Sequence, residues 1–252
     1  MADIRVDEEG FDEGQASIVI ETETATYFYH KEGAGFSSIL DVDGRDWIGY
    51  RAGDGPAGEY RGIPNMVFRG EDKGYFHPGH SGAKASTTDI VESGAKKLVL
   101  RSTSGNGKWR VEWEIDQVCA RMTVLEVDAD DPSYWFLYEG TPGGHFRPAD
   151  SGWGRSSGET GTLDDSWEAS LPSQGWVYFT DPERRRSLFL HCRKQAEFVD
   201  MYKPMPPMTV FGFGRQQEGV GSYITNEQTV LTIGLVDTAD WGEVKAAIAD
   251  RT

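Results

Sequence analysis

The segment KWRVEWEI alternates without a break: Trp109, Val111, Trp113 and Ile115 fall on one side of an extended chain, Arg110, Glu112 and Glu114 on the other. Side chains of a strand point to opposite faces in turn, so the pattern predicts a strand with one face buried and one wet. The same texture recurs in ASIVIET, TYFYH, FSSILDV, STTDIV, KKLVLRS, VCARMTVLEV, YWFLYEG, GWVYFTD, SLFLHCR, MTVFGFGR and TVLTIGLV, all rich in Val, Ile, Thr and aromatics. Turn residues separate them, among them Asp43-Gly44, Ser93-Gly94 and the hairpin signal Gly105-Asn106-Gly107. A single helix is expected, over 239–250. Thr238 or Asp240 caps it, Glu243 stands three after Asp240, and Trp241, Val244 and Ile248 mark its apolar face. The start, residues 1–15, reads as a solvated acidic arm or a short edge strand. The prediction is one all-β domain over 1–252, a large antiparallel two-sheet sandwich, a size common for single all-β domains.

Charge narrows the function classes. With 25 Lys+Arg against 41 Asp+Glu, the net charge is −16, and no basic stripe exists for nucleic acid to grip. No apolar run reaches the ~18–20 residues of a membrane-spanning helix. MADIRVDEEG holds neither a basic n-region nor an apolar h-region. The expectation is a cytoplasmic protein, or a secreted or periplasmic one whose leader has been removed. The two cysteines, Cys119 and Cys192, lie in apolar runs and read as buried free thiols, with one disulfide as the alternative.

Two stretches break the β texture. Arg51–Gly82 holds eight glycines with His77 and His80, and Glu139–Asp165 holds seven with His145, Arg147 and Trp153. Loops this long in a compact domain are usually functional or disordered, and their aromatic content argues against disorder.

The run YHKEGAGFSSILDVDGRDWIGY (Tyr29–Tyr50) resembles the opening hairpins of galactose-mutarotase-like proteins. YWFLYEGTPGG (Tyr134–Gly144), WVYFTDPERRRSLFLHCRK and MTVFGFGR resemble uncharacterised bacterial proteins of the same broad architecture, found among polysaccharide-degrading gene sets. The likeness spans roughly residues 16–236. It implies a two-sheet supersandwich in a superfamily of aldose epimerases, polysaccharide lyases and glycoside hydrolase domains. It assigns a superfamily and not a reaction.

Alternation also places chemistry-bearing side chains. In SLFLHCR, Leu188, Leu190 and Cys192 form the apolar face, and Phe189, His191 and Arg193 project from the other. In MTVFGFGR, Phe211, Phe213 and Arg215 share a face, and in YWFLYEG so do Tyr134, Phe136 and Tyr138. Aromatics carrying isolated Arg and His groups suit a sugar chain, since ring faces stack and charged groups bond to hydroxyls or carboxylates. The alternative is that these aromatics are core. His77-Pro-Gly-His80 offers two imidazoles for proton transfer or substrate contact, or else packs its loop. Tyr60-Arg61-Gly-Ile-Pro-Asn65 supplies a phenol, a guanidinium and a carboxamide, parts that neutralise a carboxylate and take the adjacent α-proton. Tyr138-Glu139 with His145 and Arg147 repeats that kit, and Glu139 with Asp150 or Asp165 is the alternative carboxylate pair of a glycosidase. Asp41-Val-Asp43-Gly-Arg-Asp46 has calcium-like spacing without the closing Glu, and a hairpin turn accounts for it. No metal or other cofactor is expected, calcium being the one alternative.

The predicted function is a carbohydrate-active enzyme, a polysaccharide lyase cleaving a uronic-acid glycan by β-elimination. His80 and Tyr138 are the candidate bases, and Arg61 and Arg193 the candidate cations for the carboxylate. Tyr60, Asn65, His77, His145, Arg147, Phe189, His191, Phe211 and Arg215 are the candidate binding residues. The alternatives are a glycoside hydrolase or aldose epimerase on the same scaffold, or a non-catalytic glycan-binding module. The partner is a poly- or oligosaccharide, with neither nucleic acid nor membrane involved.

Overall fold

The computed structural model describes residues 3–51, 62–67, 85–130, 132–181, 183, 185–193, 198–215, 224 and 228–252, with the backbone alone for 65–67. Among the described residues, strands numbered in chain order form two antiparallel sheets of nine. The first contains β1 (Arg5–Asp12), β2 (Gln15–Glu21), β3 (Ala25–His30), β4 (Gly35–Asp41), β5 (Gly62–Val67), β10 (Trp135–Gly140), β13 (Trp167–Ala169), β16 (Asp200–Met205) and β17 (Met208–Phe213). Its order is β1-β2-β3-β4-β5-β10-β17-β16-β13. The second contains β6 (Thr87–Ser93), β7 (Leu98–Thr103), β8 (Arg110–Ile115), β9 (Ala120–Glu126), β11 (Gly152–Arg155), β12 (Thr160–Thr162), β14 (Gln174–Asp181), β15 (Arg186–Arg193) and β18 (Val230–Val236). Its order is β12-β11-β14-β15-β18-β9-β8-β7-β6. This is the two-sheet sandwich that the alternation and the resemblance predict. The acidic start is an edge strand, β1, paired to β2.

The core lies between the sheets. Tyr27, Tyr29 and Phe36 of the first sheet meet Trp113, Leu188 and Leu190 of the second in one buried cluster. Phe36 and Trp113 pack edge to face with centroids 4.7 Å apart, and Tyr138 meets Phe179 at 5.4 Å. Each such pair adds roughly 0.5–1.5 kcal/mol beyond the area it buries. Trp109, Val111, Trp113 and Ile115 are all buried, whereas Arg110, Glu112 and Glu114 are half-buried on the opposite face.

A second, smaller core covers the outer face of the second sheet. Helix α1 (Trp241–Ala249) lays Val244 and Ile248 over Phe189, Trp176 and Val236. Asp240 caps it, its side chain accepting the Glu243 amide at 3.0 Å, and the Thr238 hydroxyl accepts the Asp240 amide at 3.1 Å. Trp241 Nε1 donates to the Arg155 carbonyl at 2.9 Å, which ties the helix to β11. Cys119 lies in this small core and Cys192 in the large one, and both are free thiols.

Ion pairs join the sheets at one end. Asp181, almost fully buried, accepts Arg45 Nη1 at 2.7 Å and Arg147 Nη2 at 3.2 Å. Carboxylates of the Asp41–Asp46 hairpin also brace their own turn: Asp41 accepts the amides of Asp43 and Arg45, and Asp46 those of Ile39, Ile48 and Gly49.

Candidate functional site

Strand β10 decides where chemistry can sit. Phe136 and Tyr138, with Tyr134 just before the strand, point into the inter-sheet core, as their shared face predicts. Trp135, Leu137 and Glu139 therefore point outward. That outward face is nonetheless buried: Trp135, Leu137, Met208 and Val210 are all below a tenth exposed and stand apart from both core clusters. Glu139, 8% exposed, is a carboxylate set among them.

Register places its neighbours. Glu139 lies opposite Val210 on β17 and Gly62 on β5, and Leu137 lies opposite Gly212 and Asn65. Two residues of β10 span three of β5 between these pairs, so β5 carries a bulge facing Glu139. Bulges of this kind re-aim side chains and are over-represented beside active sites.

Arg215 joins this face from β17, and here the sequence expectation fails. Phe211 and Phe213 point into the core, but Gly214 adopts φ +72°, a left-handed turn that takes Arg215 to the other side. A Cβ on Gly212 would fall 2.5 Å from Leu137 Cδ2 and 2.7 Å from Arg215 Cβ. The absent side chain is what lets Arg215 fold back across the strand, where its Nη1 donates to the Val210 carbonyl at 3.3 Å. The guanidinium thus rests by Val210, the residue directly across from Glu139.

The other expected residues scatter. Tyr138 is fully buried, and its hydroxyl donates to the Trp47 carbonyl at 2.6 Å, so it offers no exposed phenol to a substrate. Phe211 is core and Phe189 lies under α1, so neither forms a stacking platform. The backbone of Asn65 sits opposite Leu137. His145 is exposed beside the 3-10 turn Pro142–Gly144. Arg147 is held by Asp181 and Glu183, whose carboxylates raise its pKa. Tyr60, Arg61, His77 and His80 lie outside the described residues. Tyr138 and Arg193 share no surface: one points into the core and the other leaves the outer face of the second sheet.

That outer face carries a separate groove of about 240 Å³, lined by His191 and Arg193 together with Glu112, Glu114, Arg121, Thr123, Val230, Thr232 and Thr252. His191 Nε2 is 3.2 Å from Gln174 Oε1. Burial, with the nearby Arg193 charge, pushes the imidazole pKa down to about 4, so it is neutral over the physiological range. Glu112, Glu114, Arg121 and Thr123 were missed as site residues, although alternation in β8 and β9 places all four on the wet face. Among the described residues, no group of three or more His, Cys, Asp or Glu is set to hold a metal ion.

No family model matches the sequence, and no curated protein matches it. Among solved structures, the chain is similar to that of HI1317, with a TM-score of 0.56 at 10% identity, covering 92% of this chain and 99% of that one. It is also similar to part of a 4-α-glucanotransferase from Thermococcus litoralis, with a TM-score of 0.50 at 11% identity. There the match covers 93% of this chain and 39% of the other. A galactose mutarotase related enzyme from Lactobacillus acidophilus aligns at a TM-score of 0.47 and 10% identity, over 88% of this chain and 98% of that one. At these identities the likeness is one of fold.

Proposed function

We propose that the protein is a carbohydrate-active enzyme working on the outward face of β10 and β17, with Glu139 as its proton-transfer group. The observation that carries this reading is the setting of Glu139: a carboxylate nine-tenths buried on the same apolar strand face as Leu137 and Trp135, opposite a bulge. A carboxyl in apolar surroundings is the kind of group that holds and releases a proton in glycan chemistry. The fold shared with a glucanotransferase segment makes a saccharide substrate reasonable by analogy.

Within that reading the substrate is a uronide and the reaction β-elimination. Arg215 rests by Val210, the residue across from Glu139, and Arg61, which precedes Gly62 in the sequence, is the second candidate cation. A cation suits a sugar carboxylate, whose neutralisation makes the adjacent C–H acidic enough for a base to remove. His80 remains a candidate base for that step. For the glycosidase alternative, Asp165 Oδ2 accepts the amide and hydroxyl of Thr162, and Asp150 is exposed.

The test is incubation with uronide polysaccharides while following the ultraviolet absorbance of the unsaturated product, alongside polarimetry on free aldoses. Glu139→Gln should lower turnover at least ~10²-fold with binding retained. Anomer interconversion without absorbance change would replace the lyase with an epimerase. Binding with no turnover of any kind would reduce the protein to a glycan-binding module.

A further inference from the structure

We propose that the groove on the outer face of the second sheet is a second binding site, for a small hydroxylated molecule bearing one carboxylate or phosphate. It is separate from the Glu139 face, because the two lie on opposite outer surfaces of the sandwich.

The lining is built by register. Arg193 on β15 stands across from Val230 on β18, Val230 from Thr123 on β9, and Thr123 from Glu112 on β8. In the parallel row, His191 stands across from Thr232, Thr232 from Arg121, and Arg121 from Glu114. Four adjacent strands thus hold two lines of polar side chains on a rigid floor. The charges in this lattice are mostly committed. Arg121 pairs with Asp116 at 2.7 Å and Glu112 with Arg101 at 2.5 Å. Arg193 has no ion pair or hydrogen bond among the described residues, so the β15 end of the groove holds one uncompensated cation.

His191 supplies the second indication. Only 4% exposed, it lies on the groove floor, and with Nε2 donating to Gln174 Oε1 its Nδ1 is an acceptor lacking any donor. Buried acceptors are nearly always satisfied in folded proteins, and this one has no donor among the described residues. An anion on Arg193, with hydroxyls reaching the Thr232 and Thr123 side chains, engages both rows of the lining. The volume of about 240 Å³ is below the ~300–1,000 Å³ of drug-sized sites, so the occupant is a single ring and not a polymer.

The experiment is calorimetric titration of the full chain with glucuronate, glucose 6-phosphate, glucose and inorganic phosphate, each repeated on Arg193→Gln and Thr232→Val. Arg193 is exposed, so its replacement leaves folding intact. The expected result is binding of glucuronate or glucose 6-phosphate, weakened roughly tenfold or more in Arg193→Gln and weakened in Thr232→Val. Which of the two binds tells carboxylate from phosphate. Equal binding of inorganic phosphate alone would overturn the proposal as an adventitious ion only. No binding, or binding unchanged in Arg193→Gln, would overturn it as well. The Glu139 assignment stands or falls separately, on turnover.

Discussion

Arg186 Nη1 lies 2.8 Å from Asp41 Oδ2, and this pair spans the gap between the first residue of β15 and the last of β4. Both side chains are more than nine-tenths buried, and Arg186 also reaches Asp43 and Asp237. Burial pushes the Asp41 carboxyl up, but the Arg45 amide, Arg186 and Trp47 outweigh it and hold the pKa below the usual range. Removing one partner leaves the other charge buried alone. Arg186→Ala is therefore expected to cost about 3–5 kcal/mol in chemical denaturation, whereas Arg186→Met combined with Asp41→Asn should recover part of that loss. A loss under ~1 kcal/mol in the single variant would class this pair with exposed ones.

Tyr138→Phe separates a core role from a catalytic one. The hydroxyl donates to the Trp47 carbonyl, which also accepts the Thr141 amide at 3.1 Å, so the variant leaves no orphaned acceptor. The expected cost is about 1 kcal/mol of stability with turnover unchanged. A ~10²-fold fall in turnover with stability intact would restore Tyr138 as a base.

Two buried groups give opposite pH dependences in one window. His191 has its pKa pushed down to about 4, so between about pH 6.5 and 4 the unfolded chain binds a proton that the folded one refuses, and acidification destabilises. Asp46 has its pKa pushed up by burial to about 6, against the amides of Ile48, Ile39 and Gly49, so it takes up its proton first in the folded state and acidification stabilises. Each contribution amounts to at most about 3 kcal/mol. Relative to the parent, His191→Gln should gain stability as pH falls through this range and Asp46→Asn should lose it. Denaturation midpoints near pH 7 and near pH 4 would read both slopes. A parent–His191→Gln difference independent of pH would mean that the imidazole titrates normally.

The C-terminal helix is expected to be part of the folded unit. Trp241 packs against Trp176 with centroids 5.7 Å apart and bonds to the Arg155 carbonyl. It is only partly buried, so Trp241→Ala should cost about 2–3 kcal/mol, at or below the low end for fully buried aromatics. Asp240→Ala should cost about 1 kcal/mol through the lost cap. Unchanged melting of both variants would make the helix a loose appendage.

Alternation was legible wherever one face of a strand is wet, as in β8, where charged and apolar residues sort cleanly. It was ambiguous in β10, because Tyr134, Phe136 and Tyr138 on one side and Trp135 and Leu137 on the other are equally apolar, and both sides are buried. The shared face is readable in the sequence but its direction is not, so the burial of the Tyr138 phenol does not follow from the pattern. Phe189 was put on its correct side of β15, but the residues that cover it, Val244 and Ile248, come from a helix far along the chain. Arg215, a candidate in the sequence, lies on the other face from the one alternation gives it, because a single left-handed glycine ends the period-two rule at Gly214. Local pattern carries strand identity, while long-range packing decides which polar groups share a surface.

Strand β18 sits between β15 and β9, pairing with both, and β9 lies nearly half the chain before it. Until β18 arrives, the second sheet exists only as two separate ribbons, β6-β7-β8-β9 and β12-β11-β14-β15, each presenting an unpaired inner edge. Those edges are rows of free amides and carbonyls bordered by apolar side chains, the kind of surface that pairs with other chains. Contacts so distant in sequence close slowly, so the nascent protein stays open-edged from the synthesis of β9 until β18 has left the ribosome. Chaperone dependence and inclusion-body formation during expression are therefore expected to respond most sharply to changes in β18.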